Sequence, residues 1–512
     1  MQTWSELVEY HAARRPDSPF LSDSACSATY EQMRRRLACR ATWLADRGVG
    51  PGDRVAVLGR NSVVLVEVLL ACQHLGAIAV PLNHRLAAVE LAYMVGRSGS
   101  RLVAADPEFS DLAQGAAAEH AVPVAVFCGV EDLGGLAERA AAGADGDDIC
   151  RIVYTSGTTS RPKGVTLTNR NIYVKSVSQA REFGLSYIDH GLIVGPLFHI
   201  AAFDVTLTTA TYAGGSVHIL PKFDARQTLS VILADRVSHV WLAPVMMRRV
   251  LDVAEELTVV CEQGPRLIIG GGEPTPPDLN ERIVTVFPNS WYANVYGLTE
   301  TSTGDTILPA AQTRIRPGSV GLPVAEAVVL IVDKKWRPCP PGVTGQVAIG
   351  GEKLSPGYWD DPAATAASWH GQLFLTGDAG YFDDEGFLFL TGRFKDMIIS
   401  GGENIAAAEI EGVLLDHPAI TDAAVVGRPD PQWGEVPVAF VVAKVDGVLA
   451  DDLENYCRTR LARLKVPKEF HLLDSLPRTS IGKVQKGQLR TQAQELWGHG
   501  NGNVGGKIRH EC

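Results

Sequence analysis

The sequence predicts an α/β protein: mostly parallel sheets covered by helices, followed by a smaller region of its own α+β pattern. Three observations predict it. Short apolar runs alternate with helical patterns through the first part of the chain, the signature of parallel sheets with helical crossovers. From about Val320 the character changes to short strands with Gly-rich turns. After a polar, charged joint at GRFKD (392–396), helices and strands alternate again. At 512 residues the chain is too long for one core, and length alone suggests roughly three or four compact units.

Taken in order, Trp4, Leu7, Val8 and His11 recur at helical spacing until Pro16 stops the pattern. RVAVLG (54–59) reads as a buried strand, and Asn61 or Ser62 caps a helix through about Leu75. AIAVPL (77–82) is the next strand, and Asn83 restarts a helical stretch. RLVAAD (101–106), VPVAVF (122–127) and ICRIVYT (149–155) repeat the strand theme. GQVAIGG, GQLFLTGD and GFLFLTGR form a small β-rich subdomain. In the last part AAEIEGVLL and DDLENYCRTRLARL read as helices, AAVVG and VAFVVAKV as strands. No repeats or heptads stand out.

Composition sets limits. With 46% apolar and 21% charged residues the chain has the make-up of an ordinary soluble globular protein. A formal net charge of -11 argues against a nucleic-acid surface, which needs clustered Lys and Arg. The nine cysteines are scattered, without a C-x-x-C pair or a metal-type cluster, and read as reduced thiols of a cytoplasmic protein. The N-terminal stretch has acidic residues and no signal-like apolar core. No apolar run reaches spanning length; the best, VVLVEVLLACQ, is broken by Glu67. Oligomeric state is unreadable, which leaves a homo-oligomer open.

The stretch YTSGTTSRPKGV (154–165) carries the first chemistry. A Gly- and Thr-rich loop between a strand and a helix turns several N–H groups toward one anion. The hydroxyls of Thr155, Ser156, Thr158 and Thr159 flank Gly157 and add donors, and Lys163 adds a charge. Phosphate is the natural guest. It is not a Walker A loop, because Lys163 precedes Gly164. A generic Gly/Ser/Thr run is as often a plain surface loop, but the order strand, TSGTT, PKG is specific.

That stretch resembles the phosphate-loop signature of the adenylate-forming enzymes: acyl-CoA synthetases, luciferases and peptide-synthetase adenylation domains. The resemblance covers nearly the whole chain, since PLFH (196–199), GGGE (270–273), YGLTE (296–300), TGD (376–378), GRFKDMIISGGENI (392–405) and RTSIGKVQK (478–486) follow in the family's order. It implies a large N-terminal domain, residues 1–394, of two mostly parallel helix-covered sheets with the β-rich subdomain. A smaller mobile C-terminal domain, residues 395–512, would turn about a hinge at Lys395. It also implies two steps. A carboxylate attacks the α-phosphate of ATP to give acyl-AMP, and the thiol of coenzyme A then displaces AMP. Such chemistry rests on positioning and charge neutralisation.

The resemblance further implies roles, residue by residue. Tyr296 stacks on adenine, followed by Gly297. The main chain of Gly271, Gly272 and Glu273 borders adenine and the acyl group. Thr299 contacts the α-phosphate and Glu300 holds Mg2+, a hard cation that shares oxygen ligands with phosphates. Asp378 accepts the ribose hydroxyls, and Arg393 reaches the ribose or phosphate side. Lys483 bridges the attacking carboxylate and the α-phosphate, then withdraws as Gly401 and Gly402 approach a pantetheine tunnel. Arg463, Lys465 and Lys468 could meet CoA phosphates, although a charge run is usually a solvated face.

PLFH puts His199 at the gate of the acyl pocket, with Phe203, Trp241 and the Gly270 backbone as walls and Thr301 at its end. Small residues after YGLTE (Thr301, Ser302, Thr303, Gly304) suggest room for a medium, bulky or long acyl group. Amino-acid-activating relatives place an Asp after the position of His199; here Ile200 stands, and Asp204 is out of register. Two positions depart from the family's pattern: Ser160 replaces a common glycine of the phosphate loop, and Ala406 a common proline. The leading expectation is a stand-alone acyl-CoA synthetase using ATP, Mg2+ and coenzyme A on a small carboxylic acid. The alternatives are a ligase running mainly the thioester step from preformed acyl-AMP, adenylation with transfer to a carrier protein, and a non-catalytic binding protein.

Overall fold

The computed structural model describes residues 3–498 except 144, 156–160, 274, 276, 394, 395, 397, 401, 402, 406, 445–448 and 479–483. The chain folds as two compact units. One comprises the chain up to Leu330 together with Ala348–Thr376; the other comprises Ile331–Val347 and the chain from Gly377 onward. The β-rich stretch is thus divided between units, and part of it groups with the C-terminal region rather than wholly with the N-terminal one.

The first unit contains two sheets. In one, Val124–Val126, Leu102–Ala105, Arg54–Leu58, Ile78–Pro81 and Ile149–Thr155 lie parallel in that order, and Lys163–Thr168 closes the edge antiparallel. In the other, Pro19–Ser22, Ser216–Ile219, His190–Ile193, His239–Trp241, Leu267–Gly271 and Trp291–Tyr296 are parallel neighbours. Their runs of Val, Ile and Leu are apolar on both faces because helices cover both faces.

Helix Val63–His74 is buried on every side, capped by Ser62, whose Oγ accepts from the Leu65 N–H at 3.0 Å. Its one charge, Glu67, is fully buried and meets Arg36 at 2.6 Å and Arg40 at 2.7 Å. The apolar run is therefore a core helix with an internal ion pair. Among the described residues no helix is long and apolar enough to cross a membrane. Asn83 does not start the next helix: its side chain holds a turn through the Arg85 N–H at 3.0 Å, and the helix begins at Ala88.

In the second unit, Ile420–Asp430 and Gly434–Ala443 form a long antiparallel pair with Glu469–Leu472 alongside. Alternation sorts its faces. Ala423 and Val425 pack with helices Ala407–Leu415 and Ala450–Arg458, while Ala424 and Val426 pack with Leu489 and Ala493 of helix Lys486–Gly498.

Candidate active site

The carboxyl ends of two neighbouring parallel strands build the first part of the site. Gly271 lies opposite Val295, one residue before Tyr296 ends its strand. Only glycine fits the GGGE turn. A Cβ on Gly270 would sit 2.0 Å from the Tyr292 hydroxyl, one on Gly271 2.3 Å from the Val295 carbonyl, and Gly272 has φ +89°. The backbone is thereby bare where the strand stops, the usual place for a ligand in an open α/β sheet. Glu273 turns its side chain away to cap helix Pro244–Glu256, accepting from the Val245 N–H at 2.9 Å.

After Tyr296 the chain makes a tight loop. A Cβ on Gly297 would lie 2.4 Å from the Gly304 nitrogen, and Ser302 and Thr303 both adopt left-handed conformations (φ +56° and +60°). Two strained residues in succession need support. It comes from Lys353, whose ammonium is buried against Asp305 at 2.8 Å and the carbonyls of Thr303 and Gly304. Burial pushes the Asp305 carboxyl above its usual range, against the pull of Lys353. Thr301 gives its hydroxyl to Asp305, and Ser302 to the Lys353 carbonyl at 2.9 Å. Lys353 and Asp305 thus pack against the small residues of this loop. Thr299 and Glu300, in the short turn Thr299–Thr301, are both buried.

The phosphate loop corrects one expectation. It joins two antiparallel strands, with Tyr154 opposite Gly164 and Thr155 opposite Lys163, rather than a strand and a helix. KGVTLT is rich in β-branched residues and stays extended. The helix waits for Thr168, whose Oγ1 accepts from the Asn171 N–H at 3.1 Å while Asn171 reciprocates. Ser156, Gly157, Thr158, Thr159 and Ser160 lie outside the described residues. Lys163 itself sits with its ammonium 4.8 Å from the centre of the Tyr358 ring. The Tyr358 hydroxyl donates to Glu300 Oε1 at 2.9 Å. Burial, then the Glu300 charge, pushes the Tyr358 phenol well above its usual value, so it remains a donor.

His199 and Trp241 form an offset pair, ring centroids 6.4 Å apart and 22° from parallel. Gly195 makes room: a Cβ there would lie 2.9 Å from Trp241. Asn61 fixes this loop through the Gly195 carbonyl at 2.7 Å and the Leu197 N–H at 2.9 Å. A buried π-helix, Ala201–Thr208, follows. Phe203 on it lies under the Arg151 guanidinium (4.6 Å) within the main core. Arg151 also donates to both Asp204 oxygens at 2.6 Å.

In the second unit Asp378 and Arg393 face each other across a strand pair, 3.0 Å apart. Lys465 is paired with Glu409 at 2.7 Å. Lys395, Gly401, Gly402 and Lys483 lie outside the described residues.

A sequence profile described as AMP-binding enzyme matches residues 8–359, and one described as AMP-binding enzyme C-terminal domain matches residues 409–483. The chain belongs to the AMP-binding enzyme family. Its relatives include a feruloyl-CoA synthase of Amycolatopsis sp (35% identical, 94% of this chain, 96% of the relative). A long-chain-fatty-acid–CoA ligase FadD13 of Mycobacterium tuberculosis is also 35% identical, over 91% and 93% of the two chains. Among solved structures, the o-succinylbenzoate CoA synthetase of Bacillus subtilis in complex with its acyl-adenylate intermediate superposes with a TM-score of 0.87. It is 32% identical and covers 96% of this chain and 98% of its own. The class is that of an ATP-dependent, AMP-forming acid–CoA ligase.

For this AMP-binding enzyme, sequence reasoning missed Tyr358, Lys353 and Arg151. A lone tyrosine or lysine offers little signal. The glycine before Tyr358 was the available clue; its reason, φ +142° and a Cβ that would lie 2.6 Å from Thr365, shows only in the fold.

Proposed function

We propose that the protein is an acyl-CoA synthetase for a planar arylcarboxylic acid, activated with ATP and Mg2+ and passed to coenzyme A. The observation that carries the adenylating part is the Lys163–Tyr358–Glu300 connection. It joins a cation of the phosphate loop to a buried carboxylate in the turn that follows Tyr296. Lys163 and the loop residues 155–160 take the triphosphate, with Ser160 as one more hydroxyl. Tyr296 and Gly297 take adenine; Asp378 and Arg393 take the ribose. Glu300 offers hard oxygen donors, the kind Mg2+ prefers, and would hold that ion, while Thr299 meets the α-phosphate. Bound there, Mg2+ would neutralise phosphate charge. Lys483 stabilises the charge that builds between the acid and the α-phosphate. Lys395 is the hinge at the 394/395 boundary, and Gly401 and Gly402 flank the CoA thiol.

The offset pair of His199 and Trp241 beside Gly270 supports a flat acyl group, since aromatic faces favour stacked partners. The feruloyl-CoA synthase likeness agrees. An α-amino acid is disfavoured. Ile200 is buried where such a substrate would need a carboxylate, and Asp204 is taken by Arg151.

The test is carboxylate-dependent ATP–pyrophosphate exchange over a panel of aryl, fatty and amino acids, run beside thioester formation from CoA and synthetic acyl-AMPs. Exchange and thioester formation strongest with aryl acids are expected. Thioester formation without exchange from any acid would overturn the adenylating part. Equal use of fatty acids would overturn the acid class.

A further inference from the structure

We propose that Tyr358 is a positioning residue that sets the Glu300 carboxylate through its hydroxyl and the Lys163 ammonium through its ring. This rests on the reading that Glu300 takes Mg2+ and Lys163 takes phosphate.

The two groups come from distant parts of the chain, and the segment 355–359 ties them together. Its backbone runs as a short bridge along the phosphate-loop hairpin. Thr166 N–H donates to the Gly357 carbonyl at 3.0 Å, Trp359 N–H donates to the Gly164 carbonyl at 2.7 Å, and Val165 faces Tyr358. At its start, Ser355 N–H donates to the Glu300 carbonyl at 2.8 Å. The Tyr358 N–H donates to Thr365 Oγ1 at 3.0 Å, and its ring makes a T-shaped contact with Trp369 at 5.3 Å and 88°. Trp369 rests in turn on Phe374 at 4.6 Å. The ring therefore has little freedom, and what it touches inherits that order.

A carboxylate has about four lone-pair directions. The phenol takes one on Oε1, which fixes the rotation of the carboxylate plane before a cation arrives. On the other side, the ring face holds the ammonium electrostatically without using its N–H donors, which stay committed to neither a carboxylate nor a carbonyl by this contact. Outer partners of this kind are worth roughly 10–100-fold in metal affinity when removed.

Three variants separate the contributions: Tyr358→Phe removes only the hydroxyl, Tyr358→Leu removes ring and hydroxyl, and Glu300→Gln is the reference. ATP binding to the full chain is measured calorimetrically across a MgCl2 series. AMP binding in EDTA and the melting temperature are measured beside it. Tyr358→Phe is expected to raise the Mg2+ needed for half-maximal ATP binding about tenfold, with AMP affinity and melting temperature as in the wild type. Tyr358→Leu is expected to weaken ATP binding in EDTA as well, through Lys163. A wild-type Mg2+ dependence in Tyr358→Phe, alongside a shifted one in Glu300→Gln, overturns the proposal alone. Equal loss of AMP and ATP binding with a lowered melting temperature also overturns it, because that marks a residue that merely holds the fold. If Glu300→Gln leaves the Mg2+ dependence unchanged, the reading of Glu300 fails and the proposal with it.

Discussion

In the proposed reading Trp241 is the side chain that sets the choice of acid. It ends the strand His239–Trp241, is buried, and keeps its place because Gly195 carries no Cβ to displace it. Its ring lies near-parallel to that of His199, and its strand partner Ile269 precedes Gly270. Replacing it by alanine removes that ring and opens a cavity in its stead. Trp241→Ala is expected to lower kcat/KM for aryl acids about tenfold or more, in line with what a few lost apolar contacts cost in discrimination. Longer, flexible acids gain relative to them, and KM for ATP stays put. Steady-state kinetics with paired acids reads this directly. At this scale the sequence singles out residues that sit in a motif with neighbours of their own, as Glu300 and Lys163 do. It was silent where the partner arises from folding. Tyr358 reaches the motif residue Glu300, and Lys353 the loop just after YGLTE, each some 50 or more positions away in sequence, and no local pattern announces such contacts.

The element Ala201–Thr208 is a π-helix held by several buried side-chain contacts. A π turn sacrifices good ladder geometry and is found mainly at functional sites. Here it follows directly on His199 and carries Phe203 inward. Lys175, fully buried on helix Asn169–Glu182, reaches its carbonyls and hydroxyls: the Asp204 oxygen, Thr208 Oγ1 at 2.9 Å and Thr209 Oγ1 at 3.0 Å. Burial lowers the Lys175 ammonium to about 7, with Asp204 opposing and Arg151 assisting. In the unfolded chain the same group titrates near 10.5. Between those values the unfolded state binds more protons than the folded one, so this group makes stability rise with pH from about 7 toward 10.5. Below that window both states are charged and the penalty is fully present. Lys175→Met is expected to flatten the rise, as seen by chemical denaturation at several pH values; an unchanged slope would mean that other groups cause it. Element existence was largely legible in the sequence, since buried strands such as ICRIVYT announce themselves by β-branched apolar runs. Element type failed at the phosphate loop. Period-2 alternation over only six residues was there in KGVTLT, too short a run to displace the reading of a loop between a strand and a helix.

For the molecule as a whole, motif order was the strongest signal, because seven short stretches fall in one register along the chain. Less legible was how the β-rich stretch partitions. Composition shifts at GRFKD, whereas packing divides the strands Gly345–Gly351 and Leu373–Phe382 between the two units. Side-chain and backbone pairing decide such grouping, and neither shows as a change in residue usage. The two units matter for function because the proposed reaction needs different C-terminal groups in its two halves. In the proposed reaction Lys483 acts in the first half: it would offset the charge that builds as the acid attacks the α-phosphate, and its withdrawal would leave the thiol step to other groups. Removing a fixed cation or donor from a developing charge costs about 10²–10³ in rate. Lys483→Ala is therefore expected to cut acid-dependent ATP–pyrophosphate exchange by about that factor, while thioester formation from synthetic acyl-AMP continues near the wild-type rate. Parallel loss in both assays would show that Lys483 supports the second unit's fold or the thiol step instead. Undiminished exchange would move the adenylating cation to another residue, with Lys163 the next to replace.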